Sequence, residues 1–326
     1  MVWPLSKGHA GFDVCIIGAM KDYSLPSVLN TLVEEYRRHL LDCAGLSAAT
    51  CRYHVYYVQH FLKEQRRKLP DDHHFERLTP NDLMAFVTRK AERNRPVSLQ
   101  VITATLRSFF RFLSLTGRSS VPLAGAVPKV AASGRRSLPR HLTTAQLQQL
   151  LATFSKQTPA GLRDSAVVLC LARLGLRARE AARLRLDDID WRSGVVVIQT
   201  TKDRRSRQLP LTAEVGNALV RYLRHARPTS AHREVFLSLR TDAPLSSLGI
   251  SQLIVKALRR ANITCAQPGA HLLRHTFATH LVQRGTSIKV LADLLGHRRL
   301  DTTMFYTKVN LPMLTAVARP WPEVVA

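Results

Sequence analysis

Between residues 25 and 116, apolar side chains recur every three to four positions. That spacing lays them along one face of a helix. Leu32, Tyr36, Leu40 and Leu41 mark the first such stretch. Tyr53, Tyr57, Val58, Phe61 and Leu62 mark the second, with Ser47 placed to cap its start. A third helix opens at Thr79-Pro80-Asn81-Asp82, where a hydroxyl precedes a proline in the first turn. The fourth spans about 98–115, with Leu106, Phe109, Phe110 and Leu113 on its stripe. Four short helices predict one small bundle over 24–116. Residues 1–23 read as an irregular leader. Over 117–140 the periodicity stops and Gly, Pro, Ser and cations take over, which predicts an extended basic connector.

A second domain is expected over 141–326. Thr143 or Thr144 caps a helix to about 154, further helices cover 162–174 and about 178–186, and then the pattern changes. The stretches DIDWRSGVVVIQTT and RQLPL flank a charged turn, which predicts a small antiparallel sheet. Helices return at about 213–225, 248–261, 271–284 and 287–295. The fold class is therefore mainly α with one small antiparallel sheet.

Charge changes the picture more than composition does. The 326 residues hold 48 Lys and Arg against 23 Asp and Glu, a formal charge of +25. Self-repulsion of this size points to a polyanionic partner, nucleic acid first and an anionic membrane surface second. From 93 to 163 there are eleven Lys or Arg and no carboxylate. A solvated face mixes signs, whereas a surface that follows phosphates does not. No apolar run is long enough to predict a membrane span. The segment VCIIGAM is too short and too poorly flanked for a signal peptide. Five scattered cysteines without a CxxC pair fit reduced thiols in a cytoplasmic protein.

Several polar residues fall beside helix ends and turns. Arg177 follows a glycine, His271 and Arg274 lie three apart on one helix face, His297 follows Gly296, and Lys202 sits in the charged turn. Tyr306 comes nine residues after His297. Two guanidinium groups can hold both non-bridging oxygens of a phosphodiester without a metal. A tyrosine needs such a cationic surrounding to act as a nucleophile. His271 and His275 have the i, i+4 spacing of a zinc pair, but Leu272 stands where a glutamate is needed and no further ligand cluster accompanies them. His275 and His280 read as hydrogen-bonded helix residues.

The stretch HLLRHTFATHLVQRGTSIKVLADLLGHRRLDTTMFYTKV, together with LGLRARE and TKDRRSRQLPL, resembles the tyrosine recombinases of the phage integrase family, their Xer-like branch above all. The resemblance implies an N-terminal core-binding bundle of the SAM-like kind and a catalytic integrase domain. It implies site-specific recombination through a 3′-phosphotyrosyl intermediate and a Holliday junction, with no cofactor and no metal. Matched position by position, Arg177 and Arg274 would bind the scissile phosphate and His297 would hydrogen-bond to it. Lys202 would protonate the leaving 5′ oxygen, His271 would assist proton transfer and Tyr306 would attack. Glu180 would support the site. Thr201 and Asp203 stand where the family's lysine hairpin usually has glycines. The expected partners are a double-stranded recombination site, three further copies in a synaptic tetramer, and a related recombinase or accessory protein. The apolar tail 311–326 is expected to dock on a neighbouring copy. The competing classes are a non-catalytic DNA-binding protein with a relic site, a metal-dependent nuclease or hydrolase, and a topoisomerase of the same chemistry.

Overall fold

The computed structural model describes residues 25–69, 75–94, 96–130, 140–199, 206–297 and 300–306. The leader 1–23, Lys202 and the tail 311–326 lie outside the described residues. The described residues up to Val130 form one compact unit and those from Arg140 another.

In the first unit, α1 (Ser27–Asp42) and α2 (Ala48–Glu64) pack as an antiparallel pair, and α3 (Pro80–Arg93) and α4 (Pro96–Leu115) complete the bundle. The sequence pattern explains the faces. Leu29, Leu32, Val33, Tyr36 and Leu40 of α1 are all buried. So are Cys51, Tyr57, Val58, Phe61 and Leu62 of α2. The Ser47 hydroxyl accepts from the Thr50 amide at 3.3 Å, as expected of a cap. At the start of α3, Asp82 reaches back to accept from the Thr79 amide at 2.9 Å and its hydroxyl at 2.8 Å. Aromatic rings fill the centre. Tyr36 meets the edge of Phe109 at 5.2 Å, and Phe61 meets Phe86 at 5.2 Å and Phe110 at 5.6 Å.

The connector expected from residue 117 differs from the observed chain. Leu123–Ala126 forms a further helical turn, α5, and Leu123 and Val127 are buried in the bundle core. Arg107 donates to the Pro128 carbonyl at 2.8 Å and Gln100 to the Val130 carbonyl at 3.3 Å. Arg118 pairs with Glu35 at 2.5 Å. Two buried apolar side chains and three tethers outweigh the entropy that glycine and proline punctuation suggests should leave this segment extended.

In the second unit, α6 (Thr144–Ala152) enters through a capping box. The Thr143 hydroxyl accepts from the Gln146 amide at 3.1 Å, and Gln146 Oε1 accepts from the Thr143 amide at 3.0 Å. The central helix α7 (Pro159–Arg173) is buried from Ala166 to Ala172. A short α8 (Ala178–Arg183) leads to the sheet of β1 (Ile189–Asp190), β2 (Val195–Gln199) and β3 (Ser206–Pro210), antiparallel in that order. Val196 pairs with Leu209 and Ile198 with Arg207. Val196, Ile198 and Leu209 are buried while their neighbours along each strand are not. That alternation is what a half-covered antiparallel sheet requires. Helices α9 (Ala213–His225), α10 (Ser247–Arg260), α11 (Ala270–Gln283), α12 (Ile288–Leu295) and α13 (Leu300–Met304) follow. The α7 helix packs against α9 and α11. Among the described residues, no helix is long and apolar enough to cross a membrane.

Candidate active site

Two glycines set the frame. Gly175 ends the chain segment after α7 with φ +64°, and a Cβ there would lie 2.4 Å from Cδ1 of Phe277. Gly296 caps α12 at φ +61° in the left-handed region. Both turns expose backbone carbonyls toward α11, and Arg274 of that helix takes them. Its Nη1 donates to the Gly175 carbonyl at 2.6 Å and its Nη2 to the Leu295 carbonyl at 2.5 Å. Arg274 is only 4% exposed. Burial pulls its pKa down to about 9, with the Arg177 and Arg207 charges adding to the effect and Glu180 opposing it. The guanidinium still carries its charge at neutral pH.

Arg177 stands at the N-cap of α8. Its amide donates to Glu180 Oε2 at 2.8 Å, its Nη1 to Glu180 Oε1 at 2.7 Å, and its Nη2 to the Gly296 carbonyl at 3.3 Å. Glu180 thus lies one turn in and faces back to the cap. Arg207 of β3 binds the same carboxylate through both terminal nitrogens, at 3.1 and 2.8 Å. Arg274 Nη1 lies 3.7 Å from Glu180 Oε2. Burial by itself would raise the Glu180 carboxyl. The hydrogen bonds and charge of Arg207, then the Arg177 amide and guanidinium, bring it down to about 2. One carboxylate therefore gathers three guanidinium groups and leaves a local excess of positive charge.

Tyr306 is 3% exposed, packed with Ala278, Val282, Leu291 and Leu295. Its hydroxyl shares a 2.7 Å hydrogen bond with Nδ1 of His275. Burial pushes the phenol up to about 12, against the pull of the Arg274 and Arg177 charges. The nucleophile candidate thus lies within the field of both arginines, protonated and covered. His275 and His297 are each brought down to about 4. Burial is the first cause for both, followed by His271 and Arg274 for His275, and by Arg274 and Arg177 for His297. Both imidazoles are neutral at pH 7. His297 Nδ1 shares a 2.8 Å hydrogen bond with the Thr303 hydroxyl, which ties the Gly296 turn to α13. His271 is exposed, one turn before His275, with ring centres 6.2 Å apart.

Arg177, Glu180, Arg274, His297 and Tyr306 are thus brought together, and His271 borders them. Lys202 lies in 200–205, outside the described residues. Three participants escaped the sequence reading. His275 reads as an ordinary helix histidine, yet it holds the phenol. Thr303 gives no signal beyond its position between His297 and Tyr306. Arg207 shows only as the basic residue before the spacer and Pro-Leu that end TKDRRSRQLPL.

The model of the phage integrase family matches residues 140–311, and that of the phage integrase N-terminal SAM-like domain matches 33–117. The tyrosine recombinase XerD of Listeria innocua is 32% identical over 293 residues, covering 86% of this chain and 95% of the relative. The tyrosine recombinase XerA of Thermococcus kodakarensis is 31% identical over 285 residues, covering 87% and 93%. Among solved structures, the site-specific recombinase XerH in a post-cleavage complex with its palindromic difH substrate superposes with a TM-score of 0.72 at 17% identity, over 87% of this chain and 83% of that one. The Tn1549 transposon integrase in complex with a circular intermediate DNA gives 0.66 at 17% identity, over 88% and 99%. The low identities of these two structures carry the fold, and the family models and the recombinase relatives carry the family. The chain belongs to the phage integrase family and is a tyrosine recombinase, an enzyme of site-specific recombination that breaks and rejoins DNA strands through a tyrosine intermediate without metal.

Proposed function

We propose that Arg177 and Arg274 hold the two non-bridging oxygens of the scissile phosphate while Tyr306 attacks phosphorus. The phenol gives up its proton to an imidazole, with His271 as the assisting base. The Tyr306 oxygen–phosphorus bond forms as the bond from phosphorus to the 5′ oxygen breaks. Lys202 supplies the proton that the leaving oxygen takes, and His297 hydrogen-bonds to the phosphate. The product is a 3′-phosphotyrosyl linkage, which a 5′ hydroxyl from a second strand reverses. No outside energy is needed, because one phosphodiester is exchanged for another. The guanidinium groups act where negative charge grows in the transition state, in a partly dry site where such donors are worth most. Two duplexes and four cleaved strands call for four active sites, in a homotetramer assembled on DNA in the cytoplasm.

The observation that supports this reading is the shared carboxylate. Glu180 holds Arg177 at 2.7 Å and lies 3.7 Å from Arg274, and both charges act on the Tyr306 phenol. A buried tyrosine in a purely structural role needs neither. For Tyr306 to reach a phosphate, its covered hydroxyl must leave His275, so DNA docking is expected to shift α13. The test is covalent capture. The full chain is incubated with fragmented DNA of its host in chelator, and fragments attached to protein under denaturing conditions are sequenced. Recovery of one recurrent duplex, attached at its 3′ phosphate and absent with Tyr306→Phe, is the expected result. Capture that survives Tyr306→Phe, or cleavage that stops in chelator, would remove the assignment.

A further inference from the structure

The roles above leave out Arg207, an enclosed arginine on β3. We propose that Arg207 is a positioning residue for strand cleavage: from β3 it fixes the Glu180 carboxylate in the orientation that presents Arg177 to the phosphate. This rests on the reading of Arg177 as a phosphate ligand.

The division of labour follows from exposure and geometry. The Arg177 side chain is 37% exposed, while that of Arg207 is 11% exposed and that of Glu180 10%. Arg177 is free to meet a ligand from outside, and Arg207 is enclosed. Both terminal nitrogens of Arg207 are spent on the two oxygens of Glu180. A planar fork of this kind sets the plane of the carboxylate, which a point charge does not. The same two oxygens then have one direction left for Arg177: its amide on Oε2 and its Nη1 on Oε1.

Arg207 also touches the third element of the site. A Cβ at Gly296 would come within 2.8 Å of Arg207 Nη1, so the guanidinium lies directly against the turn that carries His297. That turn receives Arg177 Nη2 on its Gly296 carbonyl. The start of α8, the strand β3 and the end of α12 are therefore registered through a single guanidinium. A surface ion pair would be screened and weak. This pair is enclosed, and losing one member leaves the other partly desolvated.

Arg207 and Arg177 are also what keep Glu180 ionised in spite of its burial. The groups facing Glu180 are Arg177 from α8, Arg207 from β3 and Arg274 from α11, with His297 after α12 and the His275–Tyr306 pair near Arg274. With Arg207 present the carboxyl titrates at about 2, so it stays charged at every working pH. Without Arg207, burial raises it, and protonation at mildly acidic pH then releases Arg177.

The experiment measures covalent-adduct formation on a nicked suicide duplex built from the captured site, at saturating DNA and across pH. Arg207→Ala, Arg207→Lys and each combined with Glu180→Gln are compared with the full wild-type chain. Arg207→Ala should lower the rate at saturation about a hundredfold, the usual effect of a misplaced catalytic group, with DNA affinity little changed. The acid limb of its pH profile should move to higher pH. Both the extra loss and the acid shift should vanish in the Glu180→Gln background. Arg207→Lys should recover part of the rate and most of the fold. A wild-type rate in Arg207→Lys and Arg207→Ala overturns the proposal. So does lost affinity with an unchanged rate at saturation, which marks a phosphate contact. If Arg207→Ala does not fold, Arg207→Lys decides: a folded protein with wild-type rate and profile overturns the proposal. Failure of the wild-type chain itself to form an adduct would instead overturn the proposed function.

Discussion

Among the described residues, the two units differ in one buried charge. The largest side chains enclosed in the N-terminal bundle are aromatic, with Tyr36, Phe61, Phe75, Phe86, Phe109 and Phe110 all close to zero exposure. The catalytic unit encloses rings too, Tyr222 and Phe236, and both units bury threonines, but the catalytic unit also buries the charge of Arg274. Rings gain from burial wherever they fit, so the bundle can be optimised for stability alone. A guanidinium in the interior costs desolvation free energy that its carbonyls and a shared carboxylate only offset. On the proposed role of Arg274 at the phosphate, the catalytic unit trades stability for preorganised electrostatics.

The largest expected effect would come from emptying the aromatic core. Phe109 touches Tyr36, Phe75, Phe110 and Phe112. Phe109→Ala should destabilise the bundle by about 3–5 kcal/mol, read by denaturant unfolding. Adduct formation at saturating DNA should change far less than affinity does, because no catalytic candidate lies in that unit. A large loss of rate at saturation would break the comparison.

Arg274→Leu reverses the expectation. It removes the donors to the Gly175 and Leu295 carbonyls, which should cost about 1–3 kcal/mol of stability. Part of this is returned by no longer burying a charge. Cleavage should fall roughly 10²- to 10³-fold, if the loss of an oxyanion-type donor is a guide. Single-turnover adduct assays beside thermal unfolding check both numbers. A loss of stability equal to that of Phe109→Ala would mean that Arg274 is chiefly structural.

This contrast also explains what the sequence could and could not reveal. Apolar stripes are local and periodic, so α1, α2 and α4 could be placed from spacing, with Ser47 marking the start of α2 and Thr143 the start of α6. The packing of Leu123 and Val127 was hidden because two isolated apolar residues among Gly and Pro carry no period. Arg177, Arg274, His297 and Tyr306 could be named because the family motif keeps them in fixed register. The partnership of His275 with Tyr306 spans 31 residues, and that of Arg207 with Glu180 spans 27. Such pairings are tertiary, and neither helix nor strand periodicity encodes them. Lys202 was assigned by register alone.

The smallest effect tests whether the two units differ in anything besides their interiors. Each has a hydroxyl cap on a comparable helix. Ser47 accepts from Thr50 at 3.3 Å, and Thr143 accepts from Gln146 at 3.1 Å with Gln146 returning to the Thr143 amide at 3.0 Å. Replacing either by Ala leaves one first-turn amide to water and should cost about 1 kcal/mol. The returned bond survives in Thr143→Ala, since its acceptor is on Gln146, so the two costs should be close. Neither cap approaches Glu180 or Tyr306 in hydrogen bonding, and both variants should cleave at the wild-type rate once DNA is saturating. Equal losses by thermal unfolding with unchanged single-turnover rates would confine the difference between the units to the charges around Glu180. If Thr143→Ala slowed cleavage while Ser47→Ala did not, the link from Leu142 to Thr276 on α11 at 2.9 Å would be the route, and the entry of α6 would count as part of the frame that holds Arg274.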